Sequence, residues 1–124
     1  MGDVKTVLSV GQCSFDHGNI SRAIEGRYQA TIATASTREE ALGWLKTNRA
    51  DVVLVNRLFD EDGDSGIDFL RQAKADHPGT AFLLISNLPE AQGEAQAAGA
   101  AIGFGKAELN TAKMTAALDP WFLG

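Results

Sequence analysis

A chain of 124 residues suits one domain, and a hydrophobic fraction of 44% is enough for one core. A formal net charge of −5, with a pI near 4.9, argues against nonspecific binding to nucleic acid or an anionic membrane. The single cysteine, Cys13, excludes an internal disulfide, no apolar run is long enough to span a bilayer, and the opening MGDVKTVLSV lacks the pattern of a signal peptide, so a cytoplasmic domain is expected.

Val4–Val10 (VKTVLSV) reads as a buried strand, followed by the loop GQCSFDHGN. Ile20, Ala23 and Ile24 then recur at helical spacing. Tyr28–Thr34 (YQATIAT) alternates β-branched residues and predicts a second strand. Ser36 and Thr37 stand three residues before Glu39 and Glu40, a capping-box pattern opening a helix with Ala41, Leu42, Trp44 and Leu45. Val52–Val55 is a third strand that ends on the polar Asn56. An acidic loop follows, and Ser65 is placed to cap a helix carrying Ile67, Leu70 and Ala73, which His77-Pro78-Gly79 ends. Ala81–Ile85 (AFLLI) is a fourth strand. Pro89 suits the first turn of an Ala-rich helix with little apolar bulk, expected to be the least firmly packed. Ala100–Phe104 is a fifth strand, and Leu109, Ala112 and Ala116, with Met114 and Leu118 as further candidates, serve a last helix. The stretch DPWFLG (119–124) reads as a short tail on a single domain spanning 1–124.

Five strands alternating with five helices imply a parallel sheet covered on both faces. The expected architecture is a doubly wound, three-layer α/β/α fold with flavodoxin-like strand order 2-1-3-4-5.

The segments DVVLVN (51–56), GIDFLRQAK (66–74), FLLIS (82–86) and GAAIGFGK (99–106) resemble the receiver domain of bacterial response regulators. The resemblance covers nearly the whole chain. In that family the third strand ends in an aspartate that accepts a phosphoryl group. Two acidic residues after the first strand hold magnesium, and a Ser or Thr and a Lys contact the phosphoryl oxygens. Ser86 and Lys106 match the last two positions. The phospho-acceptor position is Asn56, and the acidic pair falls on Gly11 and Gln12. The switch aromatic falls on Gly103, with Phe104 one place off, and the Pro after the Lys is Ala107. Gly66 lies ten residues past Asn56 where the family has eight, so the acidic loop is two residues longer. An amide is not the anionic nucleophile that phosphoryl transfer needs, and Gly11 and Gln12 cannot replace two carboxylates as ligands of a hard cation. The resemblance therefore implies a pseudo-receiver with no enzymatic activity and no cofactor. It would be a phosphorylation-independent module of a two-component or phosphorelay pathway. It would bind a protein partner, or itself, through the face of the fourth helix, fifth strand and fifth helix, without nucleic acid or membrane.

Two other readings stay open. One is a small-ligand or anion sensor at the sheet mouth around Gly11–Gly18, Asn56, Ser86 and Lys106; the other is a receiver phosphorylated atypically, for instance on Asp60. Asp60, Asp62 and Asp64 partly follow a calcium-loop pattern, but Ser65 and Arg71 stand where that pattern needs Gly and Glu, so a solvated acidic loop is expected. Asp16 is read as a cap for the first helix, with Gly18 or Asn19 helping to start it. Cys13 with His17 reads as an inert thiol near an imidazole, and His77 as a helix-end residue favourable to the dipole. Lys106 reads either as part of a retained anion site or, with no carboxylate partner at Asn56, as a cation satisfying backbone carbonyls.

Overall fold

The computed structural model describes residues 4–123. Strands β1 (Lys5–Val10), β2 (Ala30–Ala35), β3 (Val52–Asn56), β4 (Ala81–Ile85) and β5 (Ala101–Phe104) alternate with helices α1 (Ser14–Glu25), α2 (Arg38–Thr47), α3 (Gly66–Asp76), α4 (Pro89–Ala97) and α5 (Ala112–Phe122). All strand pairs are parallel and the order is β2-β1-β3-β4-β5, as the alternation of elements predicts. Parallel central strands need both faces covered. Along β3, Val53 and Val55 face one core with α2, α3 and α4, while Val52 and Leu54 face the other with α1 and α5.

Local chemistry sets the helix starts. Thr37 Oγ1 accepts from the Glu40 amide (3.2 Å), while the Glu40 carboxylate accepts from the Ser36 amide (3.1 Å), a reciprocal cap spread over two hydroxyl residues. Ser65 Oγ accepts from the Asp68 amide (3.2 Å). The first helix departs from expectation. Its cap is Cys13, whose Sγ accepts from the Asp16 amide, and Asp16 is thereby released for other work.

Three other expectations are corrected. The second strand starts at Ala30, and Tyr28 precedes it as a buried side chain of the α1/α5 core. The inward face of α5 is Met114, Ala117 and Leu118, whereas Ala112 and Ala116 are exposed. Residues 119–122 are no tail, because Asp119–Phe122 form the last turn of α5; Gly124 lies outside the described residues. Helix N–H groups point back toward the N-terminus, so Pro120 forfeits one hydrogen bond here, and Tyr28 offsets the loss. The Tyr28 ring stacks on Phe122 (centroids 4.4 Å apart), and its hydroxyl donates to the Asp119 carboxylate.

Helix α4 buries only Ala91 and Ala95, as its composition foretells, but it has a polar anchor. Between Leu83 and Ile85 the β4–β5 register shifts. Gln92 fills the gap: its Nε2 donates to the carbonyls of Leu84 (2.9 Å) and Ser86 (3.0 Å). A Cβ on Gly103 would lie 2.2 Å from the Leu84 oxygen and 2.8 Å from Gln92 Oε1, so glycine there is a packing requirement.

Burial, followed by the Asp119 carboxylate, pushes the Tyr28 pKa up to about 12. The folded state thus favours the protonated phenol. Its contribution is whole below the unfolded value of about 10 and is lost as pH rises through about 12. Urea unfolding followed from pH 8 to 12 should show Tyr28→Phe less stable at pH 8 by about 1–2 kcal/mol. The gap should narrow above pH 10. A gap independent of pH would disprove the coupling.

Candidate functional site

At the C-terminal ends of the strands, where open α/β sheets build sites, a cavity of about 430 Å³ is lined by Asn56, Arg57, Leu58, Ser86, Asn87 and Lys106. The fold therefore brings Asn56, Ser86 and Lys106 to one place. Arg57 joins them, a second cation that the sequence pattern does not single out.

Asn56, Ser86 and Lys106 each already have a protein partner. Asn56 Nδ2 donates to the Gly11 carbonyl (2.9 Å) and ties the end of β3 to the end of β1. This gives the amide a purpose, because an ionised carboxylate has no proton to offer that oxygen. Ser86 Oγ accepts from the Leu88 amide (3.1 Å) and shapes the turn into α4. Lys106 does have a carboxylate partner, contrary to one expectation: its Nζ lies 2.6 Å from Asp16 Oδ2. The ammonium hydrogen bond holds the Asp16 carboxyl below its ordinary pKa, opposed by partial burial and helped by Cys13. Lys106 itself opens a short 3-10 turn, Lys106–Glu108, in which Glu108 accepts from the Gly105 amide (2.7 Å).

The two positions matching the family's acidic pair have been put to other uses. Gly11 has φ +78°, and a Cβ there would lie 2.2 Å from Cδ1 of Phe59. The Phe59 ring occupies the space in which a side chain at position 11 would begin. Gln12 lines a different, smaller cavity beside β2.

The loop 57–65 explains how Phe59 reaches that position: Asp60, Glu61 and Asp62 are exposed, as the charge of the loop suggests, while Phe59 turns inward. Leu58 and Ser65 form an antiparallel bridge, the Phe59 amide donates to the Asp64 carbonyl (2.9 Å), and the Gly63 amide donates to the Phe59 carbonyl (2.7 Å). Gly63, at φ +74°, makes the reversal. Phe59 is 1% exposed and meets Phe69 edge to face (centroids 5.8 Å apart). The nine residues 57–65 give the loop room to turn inward. Arg38 clamps it from outside, holding both carboxylate oxygens of Asp64 at 2.9 and 3.0 Å and thereby lowering the Asp64 pKa. Asp62 accepts from the Asp64 amide. Asp60, Asp62 and Asp64 do not converge: among the described residues no three His, Cys, Asp or Glu side chains gather as a metal site. Nor do Cys13 and His17 pair through their side chains. His17 Nε2 lies 3.2 Å from Ser21 Oγ instead.

Residues 11 and 59 should therefore be coupled energetically. Gly11→Ala should cost about 2–4 kcal/mol from positive φ and collision with Phe59. In a Phe59→Ala background only the strain should remain, a coupling of about 1–3 kcal/mol in a double-mutant cycle by urea unfolding. Asn56→Asp should cost about 1–3 kcal/mol at pH 7, because the Gly11 carbonyl loses one of its two donors and faces a carboxylate. That loss should shrink toward pH 4 as the carboxyl regains a proton to donate. Equal losses at both pH values would contradict the bond's role.

No model of a protein family matches the chain, and neither does any curated protein sequence. Solved structures do match. A protein described as a response regulator from Chloroflexus aurantiacus superposes with TM-score 0.84 at 16% identity, over 98% of this chain and 100% of that one. A response regulator from Thermotoga maritima gives 0.72 at 20% identity, over 84% of this chain and 86% of that one. NtrX from Brucella abortus gives 0.75 at 18% identity over 84% of this chain, which spans only 23% of the NtrX chain. Among the described residues no helix is long and apolar enough to cross a membrane. With strand order 2-1-3-4-5, five flanking helices and these superpositions, the chain has the flavodoxin-like fold of response-regulator receiver domains.

Proposed function

We propose that the protein is a non-catalytic, receiver-like signalling module that works by protein contact and without phosphorylation at the end of β3. The observation carrying this reading is the Asn56–Gly11 hydrogen bond beneath the Phe59 ring. The acceptor position holds an amide engaged in structure, and the ring fills the place of a metal carboxylate. Lys106, which in the family contacts the phosphoryl group, is held by Asp16. Phosphoryl transfer depends on a positioned anionic nucleophile and on neutralisation of gathered phosphate charge, and neither is provided for here.

The partner-binding surface of this reading is the face of α4, β5 and α5, the one the family resemblance implies. Two features support it. Ile102 on β5 is 67% exposed, and it borders a hollow of about 340 Å³ shared with Pro89, Gln96, Gly103 and Lys113. An exposed branched apolar side chain beside a concave polar rim suits a partner that brings one apolar anchor. The occupant is a protein of the same pathway or a second copy of the chain. A sensor reading draws on the mouth cavity, where Arg57 and Lys106 stand together, but the Asp16 pairing leaves Lys106 little unmatched charge.

Incubation with acetyl phosphate and magnesium should leave the intact mass unchanged. A stoichiometric phosphoryl adduct on any residue, Asp60 included, would refute phosphorylation independence. Ile102→Glu should reduce capture of the native partner, or self-association in sedimentation, by at least tenfold while leaving the unfolding midpoint nearly unchanged. Undiminished capture would remove this face from consideration.

A further inference from the structure

The two edges of the sheet are treated differently. Strand β5 is four residues long, and its register with β4 shifts between Leu83 and Ile85, a break of the kind that turns an edge away from further pairing. Strand β2, at the opposite edge, runs six residues in unbroken register with β1. Its sequence, ATIATA, contains no charge and no proline. It therefore lacks the devices by which soluble proteins blunt an edge strand. The hydrogen bonds fix which groups this edge presents. The Lys5 amide donates to the Gln29 carbonyl (3.0 Å) and the Gly11 amide to the Ala35 carbonyl (2.8 Å), so the odd-numbered residues turn their backbone groups to β1. Those of Ala30, Ile32 and Thr34 point outward, because backbone groups alternate sides along a strand. The outward row is closed at both ends. The Tyr28 amide donates to the Ile24 carbonyl (2.8 Å), and the Ser36 amide donates to the Glu40 carboxylate (3.1 Å). Both stops lie four residues from Ile32, so the open row is symmetric about that residue.

We propose that two copies of the chain pair antiparallel along β2, about a two-fold axis through Ile32, and join their five-stranded sheets into one. In a single chain the outward groups are solvated, and pairing exchanges that water for a second strand. A row symmetric about Ile32 superposes on itself when turned by half a revolution, and this is why the occupant is a second copy. Ile32 then lies opposite Ile32 of the second copy, and Ala30 opposite Thr34. Each of these pairs exchanges two N–H···O bonds, as the narrow pairs of an antiparallel ladder do. The axis stands normal to the sheet, so the α1 side of one copy continues as the α1 side of the other. The half-buried Ile32 side chains, which already pack on the α1/α5 core, meet across it. Despite the net charge of −5, no like charges stand opposite each other in the paired strands, because β2 carries none. The β2 edge and the α4/β5/α5 face lie at opposite ends of the sheet, so occupation of one leaves the other open.

The test is amide hydrogen exchange of the whole chain, labelled with nitrogen-15, at rising protein concentration up to the millimolar range, with sedimentation equilibrium alongside. Sedimentation should show a monomer–dimer equilibrium. The amides of Ala30, Ile32 and Thr34 should slow by about tenfold or more as the dimer fills, whereas those of Thr31, Ala33 and Ala35, already turned to β1, should change far less. Thr34→Pro removes an outward donor and spares the bonds to β1, and it should weaken dimerisation by about tenfold or more. Thr34→Lys, at an exposed position, should do the same by placing charge on the edge, and it stands in if circular dichroism shows the proline variant unfolded. Ile102→Glu should leave the protection at residues 30, 32 and 34 unchanged. A chain that stays monomeric at millimolar concentration would overturn the proposal. So would a dimer in which these three amides gain no protection, or one that Ile102→Glu dissolves and the position 34 variants do not, since that dimer would belong to the α4/β5/α5 face.

Discussion

The contact of the Phe59 ring with the α-carbon of Gly11 is the constraint around which the mouth of this sheet is arranged. It requires glycine at the end of β1, because any side chain would begin inside the ring. It requires a loop long enough to double back, with Gly63 at its reversal. With the ring seated, the Gly11 carbonyl faces the end of β3, where an amide and not an acid can donate to it. The Asp60 amide then donates to the same oxygen (2.9 Å), so two elements are stitched to one carbonyl. The Phe59 ring thus extends the core to the end of β1.

That trade has an electrostatic side. Lys106 is delivered to the mouth by the end of β5, and an unpaired ammonium half out of water is costly. Asp16 meets it from α1, and it is free to do so because a cysteine sulfur rather than a carboxylate caps that helix. In the acidic loop Asp64 is met separately, by Arg38 reaching across from α2. Two of the ion pairs, Lys106–Asp16 and Arg38–Asp64, thus join elements distant along the chain.

Much of the fold was legible because periodicity reports burial. Val52–Val55 and Ala81–Ile85 are continuous apolar runs, as strands covered on both faces must be, and hydroxyl residues at fixed offsets announced α2 and α3. Asn56, Ser86 and Lys106 could be gathered in advance because parallel strands in known order carry their ends to one edge. What could not be read was direction. Phe59 sits among four acidic residues and looks like loop; only the two additional residues and the glycine at position 11 hinted that it folds inward. The Lys106–Asp16 pair spans 90 residues and leaves no periodic trace. The end of α5 was misread because Asp-Pro normally signals a stop, and the attraction that overrides it comes from Tyr28. The inward face of α5 was displaced because alanines are equally at home inside and out.

The Phe59–Gly11 contact also orders the routes by which this sequence could change. A carboxylate at position 11 has no room while the ring is present, and removing the ring first empties a core site before anything useful replaces it. An acid at position 56 likewise faces a carbonyl oxygen until the β1 end is rebuilt. Each such change, taken singly, disturbs the packing or hydrogen bonding at the end of β1, and only concerted change avoids that cost. The loop 57–65 therefore acts as a ratchet: by seating Phe59 it fixes glycine at position 11 and an amide at position 56 together.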